Sequence, residues 1–489
     1  FRMADVPGGS LTVDKLFQHY DRFVAAPGQF EQWSYLRDIE VVAVHFWIEE
    51  RMPVLAFNAR TRTVTTRLKS IFPLTEDWSG QWARYYVDNV FEALTEPGEW
   101  YLERANGVLH YLPMPGETPE NIEAFAPRVE HLVQMRGVRD MAFEDIVFEH
   151  TEWVHRGGRR ANVNDPVGAK QRFGGNGQAA WSVPAAVELV NTERCAFERC
   201  TFRHLGGYAV CAGDGSRATR VTACHLHDLG AGGIRLNGGD ASKPVARHNG
   251  LNTITDNHIH DAGHVYHSGV GILAMHTFGN ELARNHIHDL LYSGISCGWV
   301  WGFAANVARD NRIEDNHIHD LGFGWLSDMG GIYTLGVQPG TVLRGNHIHD
   351  IFAYQYGGWC IYLDEGSSHM LVENNCAHDC GSTVFNTHFG RENIVRNNIL
   401  AFGAEGVLSL GRAGAHNALT VTQNILVTHT QPIYLGGYGW DVRERALRAD
   451  LNVLWSTRGA RALMAAANAP HRNLCAPLTA AMRDRKSVV

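Results

Sequence analysis

The pentapeptide Asn-His-Ile-His-Asp occurs four times, as Asn257–Asp261, Asn285–Asp289, Asn316–Asp320 and Asn346–Asp350, with starts separated by 28, 31 and 30 residues. Degenerate copies extend it both ways: Cys224-His-Leu-His-Asp228 upstream, then Asn375-Cys-Ala-His-Asp379, Asn398-Ile-Leu, Asn424-Ile-Leu and Asn452-Val-Leu downstream. A second short apolar segment follows each central copy: Gly233-Ile-Arg-Leu236, Gly271-Ile-Leu-Ala274, Gly294-Ile-Ser-Cys297, Gly331-Ile-Tyr-Thr334 and Ile361-Tyr-Leu363. The apolar period is two, not 3.6. Short strands parted by Gly, Asn and Asp turns, recurring every 23 to 33 residues, predict a solenoid whose coils close and stack. The expected fold is all-β, a right-handed parallel β-helix of the pectate-lyase-like kind, with at least eight coils visible. A leucine-rich repeat would need its own Leu spacing, and a propeller blade would be longer.

Alternation within the pentapeptide turns Asn and Ile inward and both His outward, with Asp at the bend. Stacked Asn side chains can then pair along the axis and satisfy buried backbone groups. The outward histidines form two rows, His258, His286, His317 and His347 beside His260, His288, His319, His349 and His378. A residue repeated in every coil answers a demand of the coil, so the rows read as structural, and neither a metal nor another cofactor is expected.

Hydrophobic residues make up 45% and charged residues 19% of 489, with 51 glycines and 27 histidines, which describes a folded, turn-rich chain. A net charge of −8 without a dense Lys/Arg run argues against a nucleic-acid partner. The nine scattered cysteines contain no Cys-x-x-Cys pair and read as small buried apolar residues. No apolar run is long enough to span a membrane. The chain starts at Phe1 without a signal peptide or initiating Met, so a truncated start and a secreted or periplasmic location are expected.

Residues 1–130 lack the repeat. Val41–Trp47, Val54–Phe57, Thr61–Thr66 and the Asn106-Gly107 hairpin of Glu99–Leu112 are β-type segments, expected to form a small β-sandwich-like module. The helix is expected over 131–475, beginning with Met141–Phe148 and Ala186–Cys200, with a long Gly-rich excursion at 157–178 and a truncated or non-native tail at 476–489.

Function is sought where coils depart from the repeat. The gap from the Asn position to the Ile position of the next strand is 10 for Cys224–Ile234 and Asn285–Ile295, but 15, 16 and 15 for Asn257–Ile272, Asn316–Ile332 and Asn346–Ile361. Measured to Val384, Val407 and Ile433 it falls to 9. The enlarged loops carry Tyr266, Trp325, Tyr354, Tyr356 and Trp359, which suit the faces of sugar rings. The same coils hold Asp328, Asp364 and Glu365 at non-repeating positions, a carboxylate set of the kind that cleaves glycosidic bonds. Counting four residues from the Ile position aligns His276, Trp299, Glu365 and His388 in one stripe, with Arg391 nearby. Tyr333 and Tyr362, on the strands bearing the acids, complete the expected substrate-binding set of His276, Trp299, Trp325, Tyr333, Trp359, Tyr362, His388 and Arg391. Asp328 precedes Ile332 by four residues whereas Asp364 follows Ile361 by three. The two carboxyls meet only if the loop through Met329, Gly330 and Gly331 folds back.

Gly98-Glu-Trp-Tyr-Leu-Glu-Arg104, the pentapeptides, Asp328-Met-Gly-Gly-Ile-Tyr-Thr-Leu-Gly336, Ile361-Tyr-Leu-Asp-Glu-Gly-Ser-Ser368 and His388-Phe-Gly-Arg-Glu-Asn393, in this order, resemble glycoside hydrolase family 141 over about residues 30–460. The resemblance implies α-L-fucosidase or xylanase activity on plant cell-wall glycans, an aspartate pair carried onto Asp328 and Asp364, and no required metal. Two rival readings stay open. A polysaccharide lyase on the same fold would use His388 with Arg391 or Arg412, and a non-catalytic carbohydrate-binding β-helix would use the carboxylates only to hold turns. The expected partner in each case is a polysaccharide or oligosaccharide.

Overall fold

The computed structural model describes residues 1–155, 157, 172–412, 416–438 and 447–459. Among them every regular element is a β-strand apart from three short 3-10 turns. The chain divides into two compact units, Phe1–Arg128 with Glu152–Val183 and Tyr266–Ser268, and Val129–Thr151 with Pro184–Val265 and Gly269–Val489.

The second unit is the expected parallel β-helix, with three parallel sheets of eleven strands each. One sheet carries the pentapeptides, running through His258–Ala262, His286–Leu290, His317–Leu321 and His347–Ile351. Another carries the second apolar segments, through Ile272–Met275, Ile295–Gly298, Gly330–Thr334, Trp359–Leu363, Thr383–Thr387 and Gly406–Arg412. This is the site sheet. The third runs through Glu281–Ala283, Arg312–Glu314 and Val342–Arg344.

The pentapeptide register is strict: His258 pairs with His286, His286 with His317 and His317 with His347. Ile259, Ile287, Ile318 and Ile348 are wholly buried in the coil interior. Each Asn side chain donates to the next, from Asn257 through Asn285, Asn316, Asn346, Asn375, Asn398 and Asn424 to Asn452, at 2.9–3.0 Å. The ladder also satisfies backbone groups at the corner: Asn316 Nδ2 donates to Leu282 O, and Asn285 N–H donates to Asn316 Oδ1. Desolvated amides with every partner supplied are stable where orphaned ones are costly. The bend follows because Asp261, Asp289, Asp320, Asp350 and Asp379 all take a positive φ of 49–55°, a conformation short polar side chains tolerate.

The first unit is built on a six-stranded antiparallel sheet. Its long strand Ile48–Asn58 pairs through Ile48–Pro53 with Glu40–His45 and through Val54–Asn58 with Thr63–Thr66. The hairpin Trp100–Glu103/Val108–Tyr111 is a separate ribbon. Of the Gly-rich excursion, residue 156 and residues 158–171 lie outside the described residues, as does the tail. The described end of the excursion joins the first unit through bridges Glu50–Gly175 and Lys69–Phe173. Seven of the eight described cysteines are buried and none is disulfide-bonded. Among the described residues no helix is long and apolar enough to cross a membrane.

Candidate active site

Along the site sheet, the outward position next to the inward Ile forms a row across coils. Arg235 pairs with Leu273, Leu273 with Ser296, Ser296 with Tyr333, Tyr333 with Tyr362, Tyr362 with Asn386 and Asn386 with Ser409. The row is polar in most coils yet buried throughout, so its hydrogen bonds must be made within the protein.

Asp364 is the hub. Only 5% exposed, it accepts from Tyr333 Oη at Oδ2 (2.5 Å) and from Tyr362 Oη at Oδ1 (2.7 Å). The Tyr362 hydroxyl also stands 3.1 Å from Asp328 Oδ1. The two carboxyls therefore flank one phenol, and the contacting oxygens are at most about 5.8 Å apart, the two bonds laid end to end. Burial first, and then the two aspartates, push both phenols well above their ordinary range, so they remain proton donors.

The expected fold-back through Met329, Gly330 and Gly331 is corrected: Gly330 and Gly331 open the extended strand Gly330–Thr334, and the turn falls at Asp328 itself. Asp328 adopts φ 60°, and both its backbone groups are held: its N–H donates to Tyr356 O (3.0 Å) and Tyr292 Oη donates to its carbonyl (2.8 Å). Gly357, at φ 89°, makes the approach possible, since a Cβ there would lie 2.9 Å from Asp328 N and 3.1 Å from its Cα. Strain held by surrounding bonds in this way is typical of functional positions. Trp359 packs on Tyr362 at a ring distance of 4.1 Å, and Tyr333 meets Tyr362 edge-on at 5.1 Å.

Glu365 lies beside the pair, half-buried. Its carboxyl is raised above the usual range by burial first and by the Asp364 charge second, against the pull of His388 and Arg412. Its backbone carbonyl accepts from Gly336 and Gly302. His388 Nε2 is 4.0 Å from Glu365 Oε1.

Several expected placements are corrected. The stripe counted from Val384 is one residue out of step: Ile361 pairs with Phe385, which in turn pairs with Leu408. Every residue of Thr383–Thr387 is buried, so burial pattern alone does not reveal the parity that strand alternation needs. His388 thus follows Thr387 in register with Asp364, not Glu365, although its ring still reaches Glu365. The charge that acts on His276 is that of Asp240. Its ring is lowered by burial, against the pull of Asp240. Trp299 is 3% exposed and donates Nε1–H to Ser296 Oγ, so it is no open platform; Trp301, 45% exposed and edge-on to it, is. Tyr333 and Tyr362, each 2% exposed, hold the carboxylates and are not open to a sugar. Arg391 lies 3.7 Å over the Phe303 ring. Tyr266 belongs to the first unit, edge-on to Trp153. Trp325 stays half-buried in the Asp328 loop.

Tyr292, Gly357 and Asn386 escaped the sequence reading. Asn386 accepts from Ser409 Oγ at 2.7 Å. The available signal for it was a polar amide following the apolar Val384-Phe385 of Thr383–Thr387.

The family model for the right-handed β-helix region matches residues 185–355 and 310–444, together more than half of the chain. No curated protein matches by sequence. Among solved structures, one named only as a glycoside hydrolase superposes with a TM-score of 0.63 at 20% identity, covering 95% of this chain and 77% of that one. A family 136 lacto-N-biosidase from Eubacterium ramulus gives 0.42 at 13% identity, covering 56% and 51%. An alginate lyase from a Paenibacillus species gives 0.34 at 16% identity, covering 55% and 87%. At such identities the likeness is one of fold. The chain belongs to the family of right-handed β-helix proteins.

Proposed function

We propose that this protein is a glycoside hydrolase in which Asp328 and Asp364 work as a pair across the Tyr362 hydroxyl. The observation that carries the reading is that hydroxyl, 2.7 Å from one carboxyl and 3.1 Å from the other. A phenol has one proton to give. Spent on Asp364, it leaves the Asp328 contact to be made by a proton on Asp328, which then donates to the phenol oxygen. Asp328 is accordingly the general acid that protonates the departing oxygen, and Asp364, with two tyrosine donors, is the carboxylate that attacks the anomeric carbon. After departure of the leaving group, Asp328, now ionised, takes a proton from the water that releases the sugar. The upper bound of about 5.8 Å between the contacting carboxyl oxygens lies below the ~6.5–9.5 Å of inverting enzymes and admits the ~5–5.5 Å of retaining ones. The family 141 resemblance supports plant cell-wall glycans, α-L-fucosides or xylans, as the substrate class. It also suits a protein that acts outside the cytoplasm.

The test is product release from a panel of aryl glycosides and plant polysaccharides by the wild type and by Asp328→Asn and Asp364→Asn. Turnover abolished in both variants, with their circular dichroism unchanged, is expected. Turnover retained in both contradicts the assignment. The lyase reading rests on His388 beside Glu365 with Arg412 acting on it, and it is favoured if the product is unsaturated and absorbs in the ultraviolet. Glycan binding without any turnover favours the binding-module reading.

A further inference from the structure

The outward histidines hold the largest concentration of potential ligands away from the aspartate pair. Rings of one row stack across coils with centroids 4.9–5.0 Å apart, as in His258–His286 and His288–His319. The rows are also cross-linked: His258 Nε2 lies 2.7 Å from His288 Nε2 on the next coil. Five such pairs, from His225–His260 to His347–His378, have nitrogens 2.7–3.0 Å apart, and no ring belongs to two pairs.

We propose that this ladder binds late first-row divalent cations, Zn2+ or Co2+, each between the two Nε2 atoms of a cross-coil pair. The distance is right. A tetrahedral ion with bonds of ~2.0–2.1 Å sets its ligand nitrogens roughly 3.3 Å apart, so a pair now sharing a proton needs to open by only about half an ångström. The tautomer is right as well. His288 Nδ1 lies 2.7 Å from the carboxylate of Asp289, and the same contact recurs at His319, His349 and His378 at 2.6–2.7 Å. A neutral ring that donates Nδ1–H to a carboxylate presents a lone pair at Nε2, the arrangement that orients and strengthens metal-bound histidine. The positive φ of the Asp residues places those carboxylates, so the bend that the coil requires also prepares the ligand.

A third donor is at hand for an ion whose neighbouring pair is empty: ligand atoms of His258, His286 and His288 all lie within 4.8 Å of one another, His286 otherwise pairing with His319. Binding replaces the Nε2–H of the inner ring, the one from the row of His258, His286, His317 and His347, whose proton moves to its own Nδ1, so charge and protons balance. Burial, then neighbouring imidazoles, lower the inner rings, His258 and His317 to about 4, which keeps them neutral and able to bind. Adjacent pairs are one strand spacing apart, so two doubly charged ions repel and the ladder fills with falling affinity.

The test is titration of the tag-free, metal-free protein at neutral pH, with Zn2+ by calorimetry and with Co2+ by its visible d–d band. More than one ion per chain is expected, the first bound with Kd of about 10 µM or tighter. A His288→Asn/His319→Asn/His349→Asn variant should lose at least half of that capacity. A measurement on the wild type guards against misfolding of the variant: saturating Zn2+ should slow acylation of the ladder histidines by diethylpyrocarbonate about tenfold or more, while leaving His388 and His110 unprotected. Binding weaker than about 100 µM, capacity unchanged in a folded variant, or no protection of the ladder overturns the proposal. None of these outcomes depends on the aspartate pair.

Discussion

Tyr362→Phe removes one oxygen and leaves the ring that packs on Trp359 and Tyr333. The lost hydroxyl donates to Asp364 Oδ1 and touches Asp328 Oδ1. Asp364, almost wholly buried, keeps only the Tyr333 donor. A hydrogen bond to a charged group contributes about 1.5–3 kcal/mol. If that bond positions and stabilises the attacking carboxylate in the transition state, kcat falls by about 10- to 150-fold, at ~1.36 kcal/mol per decade. KM should change little, since the hydroxyl is shielded from substrate. The assay is steady-state kinetics on whichever aryl glycoside the wild type cleaves, with thermal unfolding to verify the fold. Tyr333→Phe serves as the internal comparison, since it removes a donor to Asp364 but leaves the Asp328 contact intact. Pairing each with Asp328→Asn should give strong non-additivity for Tyr362→Phe and weaker coupling for Tyr333→Phe. A Tyr362→Phe enzyme within about threefold of wild-type kcat and fully folded would refute the bridging role.

Gly357→Ala places a Cβ against the Asp328 backbone at a positive φ, so kcat should drop about tenfold or more even though the substituted residue is itself no acid or base; unaltered kinetics would show that Asp328 does not depend on this approach. Asn316→Ala deletes the bonds to Leu282 O and Asn346 Oδ1 and the two accepted from Asn285, which at about 1 kcal/mol each, plus orphaned backbone groups, predicts a loss of roughly 4 kcal/mol or more in urea unfolding. A loss under about 1 kcal/mol would mean the ladder is incidental. His258 and His317 are lowered to about 4 in the fold by burial and then by neighbouring imidazoles, so the unfolded chain takes up their protons first. Their stabilising contribution is present above the unfolded value near ~6.5 and is lost as pH falls toward about 4. The melting temperature should therefore decline through that window, and more gently in His258→Gln/His317→Gln; identical declines would count against it.

The architecture was legible because the helix repeats its solution. Asn at each corner, Ile inside, His outside and Asp in the left-handed bend are local demands met identically in every coil, and four intact copies suffice to read them. Asp328 and Asp364 were also legible as departures from the repeat. Their meeting was not, because it depends on a loop held by Tyr356 and Tyr292 and opened by Gly357, contacts with no periodicity. Parity failed at Val384 and Phe385, where both alternating positions are apolar and buried. Trp299 and Trp301 shared the aromatic signal, and only the packing of Trp299 on Ser296 separates the covered ring from the open one. The histidine rows read correctly as a coil feature, whereas the cross-coil Nε2 pairs that give them ligand geometry depend on ring rotation, which spacing does not encode.

The most direct test of the aspartate pair is mechanism-based trapping on the wild-type enzyme with a 2-deoxy-2-fluoro glycoside of the sugar it cleaves, followed by peptide mass spectrometry. The account predicts one glycosyl group esterified to Asp364, with the natural product released in its original anomeric configuration. A label on another residue, or a product of inverted configuration, would contradict it.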